Sequence, residues 1–109
     1  MTKDPEIYLS HILEAIDKIL EYTKEVNKEE FLENGLIKDA VVRNIEIIGE
    51  AIKNLPEEFK NKHKGIPWKD IAGMRDRIAH FYFGIDYNLV WDTIKKDIPV
   101  LKKEIKKLI

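Results

Sequence analysis

Apolar residues recur along this chain at spacings of three and four, the period of amphipathic helices. Asp4, Pro5 and Glu6 supply a cap oxygen, a proline for the first turn and an acid at the positive end of the dipole, so a helix opens there. Tyr8, Ile12, Ala15, Ile16, Ile19, Tyr22 and Val26 gather on one side of it, widened by Leu9, Leu13 and Leu20. Lys28 to Asn34 reads as a short helical turn that carries Phe31 and Leu32 inward, with Asn34-Gly35 as a break or cap. A second long helix follows from about Leu36 to Leu55, with Ile37, Val41, Ile45, Ile48, Ile52 and Leu55 on its inner face. Pro56 starts a short helix that ends over Lys62 to Gly65, and Pro67 starts the next. That element leads into Ile71 to Phe83 (IAGMRDRIAHFYF), read as the third main helix, with Ile71, Met74 and Ile78 on the core side. Gly84 breaks the pattern and Asp86 caps a last helix bearing Val90, Ile94, Ile98, Leu101, Ile105 and Leu108. Pro99 predicts a kink or break in it near Lys96 to Ile98. The fold class is all-α, an up-and-down bundle of four main helices plus short helical turns, in one domain spanning residues 1–109.

Composition narrows the function classes. The chain has 109 residues, 44% hydrophobic and 36% charged, which is enough for one core and too short for a two-domain cofactor enzyme. With no cysteine there are no disulfide staples or thiolate metal sites, and the opening residues hold no long apolar run; a cytoplasmic protein with no membrane segment is expected. A formal net charge of -1 argues against a broad grip on long nucleic acid, so any RNA contact must be local. His11, His63 and His80 are scattered and no metal-ligand spacing appears, so neither metal nor other cofactor is expected. Arg43, Glu46 and Glu50 form one stripe that reads as a solvated ion-pair ladder, and the lysines of the last helix read as solvated surface.

The polar residues of Ile71 to Phe83 exceed what packing a helix requires: Arg75, Asp76, Arg77, His80 and Tyr82 fall within eight residues. On a continuous helix Arg75 lies half-buried at the edge of the core side, while Asp76 and His80, four apart, stand one turn above each other. Asp76 would then orient His80 and favour its protonated form. Gly73 lies on that same face, and a glycine inside a helix costs roughly 1 kcal/mol relative to alanine, so a close neighbour is expected there, most simply a helix of a second subunit. Arg75 and His80 point about 140° apart on an ideal helix. A helix ending near His80, an Arg75 reaching around the axis, or a two-fold dimer would let both serve one atom, and the dimer is favoured. An imidazole beside guanidinium groups suits phosphodiester chemistry, in which His moves a proton and Arg stabilises charge on phosphate. RNA fits better than DNA because its own 2′-hydroxyl can attack.

The run Arg75-Asp-Arg-Ile-Ala-His80-Phe-Tyr82 resembles the R-x4-H-x-Y motif of HEPN-domain proteins of the HepT type, the toxin partners of small MNT-type nucleotidyltransferases. The likeness extends to AVVRNIEIIGEAIKNLP, IPWKDIAGMRDRIAH and Val90 to Leu101, and so covers essentially the whole chain. The resemblance implies a homodimer with an RNA-cleaving cleft at its interface, Arg75 and His80 as the catalytic pair, and Asp76 at the polar position after the arginine. Tyr82 matches the residue that the nucleotidyltransferase antitoxin modifies with AMP, which blocks the RNase. Gly73 and Arg77 are assigned to support of the cleft and dimer face. Two other readings are a non-catalytic substrate- or nucleotide-binding partner subunit of a small nucleotidyltransferase and a plain dimeric scaffold. The presence of both Arg75 and His80 favours the ribonuclease.

Overall fold

The computed structural model describes residues 4–80 and 84–109, with His80 described by its backbone. Helix α1 (Pro5–Thr23) starts where Asp4 Oδ1 accepts from the Glu6 N–H at 3.0 Å. It is followed by α2 (Lys28–Glu33), opened by a reciprocal cap between Asn27 and Glu30. Asn34 Oδ1 accepts from the Ile37 N–H at 3.0 Å, so Asn34-Gly35 is the N-terminal cap of α3 (Gly35–Asn54). The short α4 (Glu57–Lys62) and α5 (Trp68–Ala72) come next, each directly after a proline. Lys60 ties α4 to the end of α3: its Nζ donates to the Ile52 carbonyl at 3.3 Å and pairs with Glu57 at 3.0 Å.

Helices α1 and α3 pack side by side and supply most of the core, including Leu9, Ile12, Ile16, Ile19, Ile45, Ile48 and Ile52. Each such side chain contributes roughly 1.5–3 kcal/mol by leaving water. Phe31 pins α2 to the C-terminal part, with its ring 5.3 Å from that of Trp91. The buried polar side chains Thr23, Asn44 and Thr93 each donate one turn back, to the carbonyls of Ile19, Ala40 and Leu89. No buried polar side chain among the described residues lacks a partner.

The C-terminal run is α7 (Tyr87–Asp92), a π-helical turn over Thr93–Asp97, and α8 (Ile98–Lys106). The irregularity falls where Pro99 predicts it. A proline lacks the N–H and clashes with the carbonyl four residues earlier, and here the Ile98 N–H bonds back five residues to Thr93 in a widened turn. Lys102 Nζ meets Asp17 Oδ1 at 2.9 Å and links α8 to α1. Among the described residues, no helix is long and apolar enough to cross a membrane.

The class is all-α, but the third main helix is not a continuous helix. Of this stretch, Ile71 and Ala72 end α5, Met74–Ile78 form the one-turn α6, and Ala79 and His80 are extended. The strands β1 (Ala79–His80) and β2 (Gly84–Ile85) pair antiparallel, Ala79 with Ile85 and His80 with Gly84. Long helical runs are therefore α1, α3 and the C-terminal segment, with the motif carried on short pieces between them.

Candidate functional site

Two buried side chains, Met74 and Ile78, hold α6 against the core and leave Arg75, Asp76 and Arg77 exposed. Arg75 is thus exposed rather than half-buried, because Met74 and Ile78 take the inward positions of this single turn. Gly73 (φ -86°, ψ 0°) is the junction of α5 and α6, not a residue within a helix. A Cβ there would meet the Lys69 carbonyl at 3.4 Å, in its own preceding turn.

The helix stops two residues before His80. Ala79 turns extended (ψ 137°), and the Ile78 carbonyl accepts from the Asp86 N–H at 2.7 Å instead of continuing a helical ladder. Gly84 lies at φ +81°, the left-handed region that glycine adopts without a Cβ clash, and it closes the β1–β2 pairing opposite His80. The stacking of Asp76 beneath His80 on one helical face is therefore not built: the two are separated by the helix end and a change of backbone direction. Of the three ways to bring Arg75 and His80 to one atom, an end of the helix ahead of His80 is the one visible in the backbone. Tyr82 lies outside the described residues.

Arg75 and Asp76 open onto a polar cleft of about 290 Å³, whose other wall is the α3 stripe Arg43, Glu46 and Glu50, together with Lys53. The stripe that reads in sequence as a solvated ladder is one wall of the motif's own cleft. Of its members only Glu50 makes an ion pair with a described residue, at 3.9 Å to Lys53, so among the described residues Arg43 and Arg75 keep their guanidinium groups unpaired. The two walls meet because Gly49 has no side chain. A Cβ on it would stand 3.3 Å from the Ala72 carbonyl oxygen, closer than most such contacts. The glycine that admits close approach is Gly49, and its neighbour is α5 of the same chain. A glycine in the middle of a long helix was the available sequence signal for it.

Arg77 faces the other way. Two residues apart on a helix is about 200°, and Arg77 lines a separate cavity of about 240 Å³ with Asp70, Asp97 and Glu104. Arg75 and Arg77 thus serve different surfaces. Among the described residues, no group of three or more His, Asp or Glu side chains is arranged to hold a metal ion.

Residues 12–108 match the family model described as ribonuclease HepT-like. The chain belongs to the HepT-like family. Among curated relatives, the HepT-like chain is 56% identical over 108 residues to a Methanocaldococcus jannaschii protein named "Gamma-glutamylcyclotransferase and putative RNase", covering 99% of this chain and 49% of that one. It spans about half the length of that relative. It is 48% identical to a "Putative RNase" from Caldanaerobacter subterraneus subsp. tengcongensis, covering 98% of this chain and 96% of the relative. A "Probable ribonuclease HepT" from Thermococcus cleftensis is 47% identical, with 99% and 98% covered. No solved structure matches. The HepT-like assignment gives the R-x4-H-x-Y run its context, and the cleft adds Arg43 and Glu46 to the residues around it.

Proposed function

We propose that this HepT-like protein is an endoribonuclease toxin that cleaves RNA without a metal ion, by attack of the 2′-oxygen on the adjacent phosphorus. The 5′-oxygen leaves, one proton is taken from the 2′-hydroxyl and one is delivered to the 5′-oxygen, and the products are a cyclic phosphate and a free 5′-hydroxyl. His80 transfers one of these protons and Arg75 stabilises the charge on phosphate, with Arg43 as a second guanidinium. Asp76 holds the motif's charge pattern beside Arg75. The observation that carries this reading is Arg75, unpaired among the described residues, in an open cleft shared with Arg43 and Glu46, in a chain of the HepT-like ribonuclease family.

In this proposal the active form is a homodimer, in which two copies of the motif face one cytoplasmic cleft across the polar face of Arg75, Asp76 and Arg43. Its antitoxin is an MNT-type nucleotidyltransferase that places AMP on Tyr82. Added bulk and negative charge two residues from His80 would repel the RNA phosphate.

Purified protein is expected to cleave single-stranded RNA in EDTA and leave a cyclic phosphate, and His80→Ala is expected to abolish this. Full cleavage by His80→Ala would remove the chemistry from the motif. With a partner nucleotidyltransferase and ATP, mass spectrometry should find added AMP on wild type and none on Tyr82→Phe. Equal labelling of the two would exclude Tyr82 as the acceptor.

A further inference from the structure

Lys53 and Ala72, at the edge of the Arg75 cleft, also line a larger cavity of about 510 Å³, so the two spaces adjoin across these residues. Lys53, Lys60, Lys64 and Lys69 surround that cavity, against the carboxylates of Glu57 and Asp70. In a chain with formal net charge -1 this is a local cationic surplus. Lys64 and Lys69 are exposed and make no ion pair with a described residue, whereas Lys60 is fixed by its bonds to Ile52 and Glu57. The floor is apolar, with Ile52, Ile66 and the Trp68 ring all buried. Beyond Pro67 the charge reverses, since Arg77 shares its cavity with Asp70, Asp97 and Glu104.

A bound polyanion would be drawn to the lysine-lined cavity and repelled from the Arg77 cavity. Lysine ammonium groups bind phosphates as point charges, and an apolar floor accepts the face of an unstacked base. A duplex buries its bases and offers the cavity none, whereas a single strand can turn one into it. The volume lies within the roughly 300–1,000 Å³ typical of ligand pockets. We propose that the lysine-lined cavity is a nucleotide subsite for single-stranded RNA, adjoining the Arg75 cleft, in which Lys64 and Lys69 hold the phosphates flanking the cleaved bond. As a part of a cleavage site it rests on the ribonuclease reading; as a binding site it is tested separately.

The experiment is fluorescence anisotropy of the wild-type chain with a labelled single-stranded RNA carrying 2′-O-methyl groups, which cannot undergo 2′-attack. Lys64→Ala combined with Lys69→Ala is expected to weaken binding about tenfold at moderate salt. It should also reduce the salt dependence, by about 0.7 in slope for each phosphate that no longer meets a lysine. Lys103 and Lys106 are exposed on α8 and are not among the residues that line the cavity. Their double alanine variant controls for net charge and is expected to bind as wild type does. Equal weakening by both double variants, or none by the first, would overturn the subsite. With cleavable RNA, the groove variant's defect should be larger on a long strand than on a dinucleotide; an equal defect on both would also overturn it. A wild-type chain that binds the methylated strand through Lys64 and Lys69 but cuts no RNA would refute the ribonuclease and leave the subsite standing.

Discussion

Arg43 and Arg75 come from parts of the chain more than thirty residues apart and meet at one cleft, each without a carboxylate partner among the described residues. An exposed arginine kept unpaired is available to an anion, and a charge-assisted bond to phosphate is worth roughly 1.5–3 kcal/mol. Arg43→Ala is therefore expected to slow RNA cleavage about ten- to a hundredfold. Because Arg43 is exposed, its Tm should stay close to wild type. Undiminished cleavage in this variant would restore the plain surface ladder that the spacing of Arg43, Glu46 and Glu50 suggests by itself. That spacing was legible. What a sequence could not tell is which element lies opposite the stripe, because this depends on the approach of α3 to Ala72 at Gly49.

At the scale of elements, the helix end at Ile78 matters most. Periodicity alone places Ile71, Met74 and Ile78 on one helical face, and the sequence offers a helix end near His80, ahead of Gly84, as one way to bring Arg75 and His80 to one atom. The backbone instead leaves the helix at Ala79, and the Ile78 carbonyl takes the Asp86 N–H in place of a helical donor, beside the β1–β2 pairing. Gly84 supplies the left-handed residue at the start of β2, opposite His80. At φ +81° an alanine costs roughly 1–2 kcal/mol. Gly84→Ala is expected to lower stability in urea by about that much and to reduce RNA cleavage, because it disturbs the strand that carries His80. Wild-type stability would mean that this backbone conformation is not needed. Gly84 was read in sequence as a break, which it is, but the break begins at Ala79.

For the whole molecule, the proposal that two copies build one site makes a prediction that a monomeric enzyme would not share. Arg75→Ala and His80→Ala chains, each inactive alone, are expected to recover cleavage when mixed and allowed to exchange, because some mixed dimers would combine one intact Arg75 with one intact His80 in a single cleft. Sedimentation of the wild type should show a dimer. Absence of recovery from a demonstrated mixed dimer would confine the pair to one chain. The polar face formed by Arg75 and Asp76 on α6 and Arg43 on α3 is where that second copy would have to contribute.

The sequence by itself determined the helical class, the positions of α1 and α3, the caps at Asp4 and Asp86, a break at Asn34-Gly35, the irregularity before Pro99 and the R-x4-H-x-Y run. These follow from local physics: hydrophobic period, side-chain caps and the missing N–H of proline. Tertiary structure alone decided that the motif stretch divides into α5, α6 and an extended strand, that Arg75 faces α3 while Arg77 faces α8, and that lysines from α3, α4 and α5 surround one cavity. Those outcomes depend on which surfaces come into contact. Met74 and Ile78 are buried against elements far away in the chain, and Gly49 lets the Ala72 carbonyl approach α3, so no local pattern could specify them.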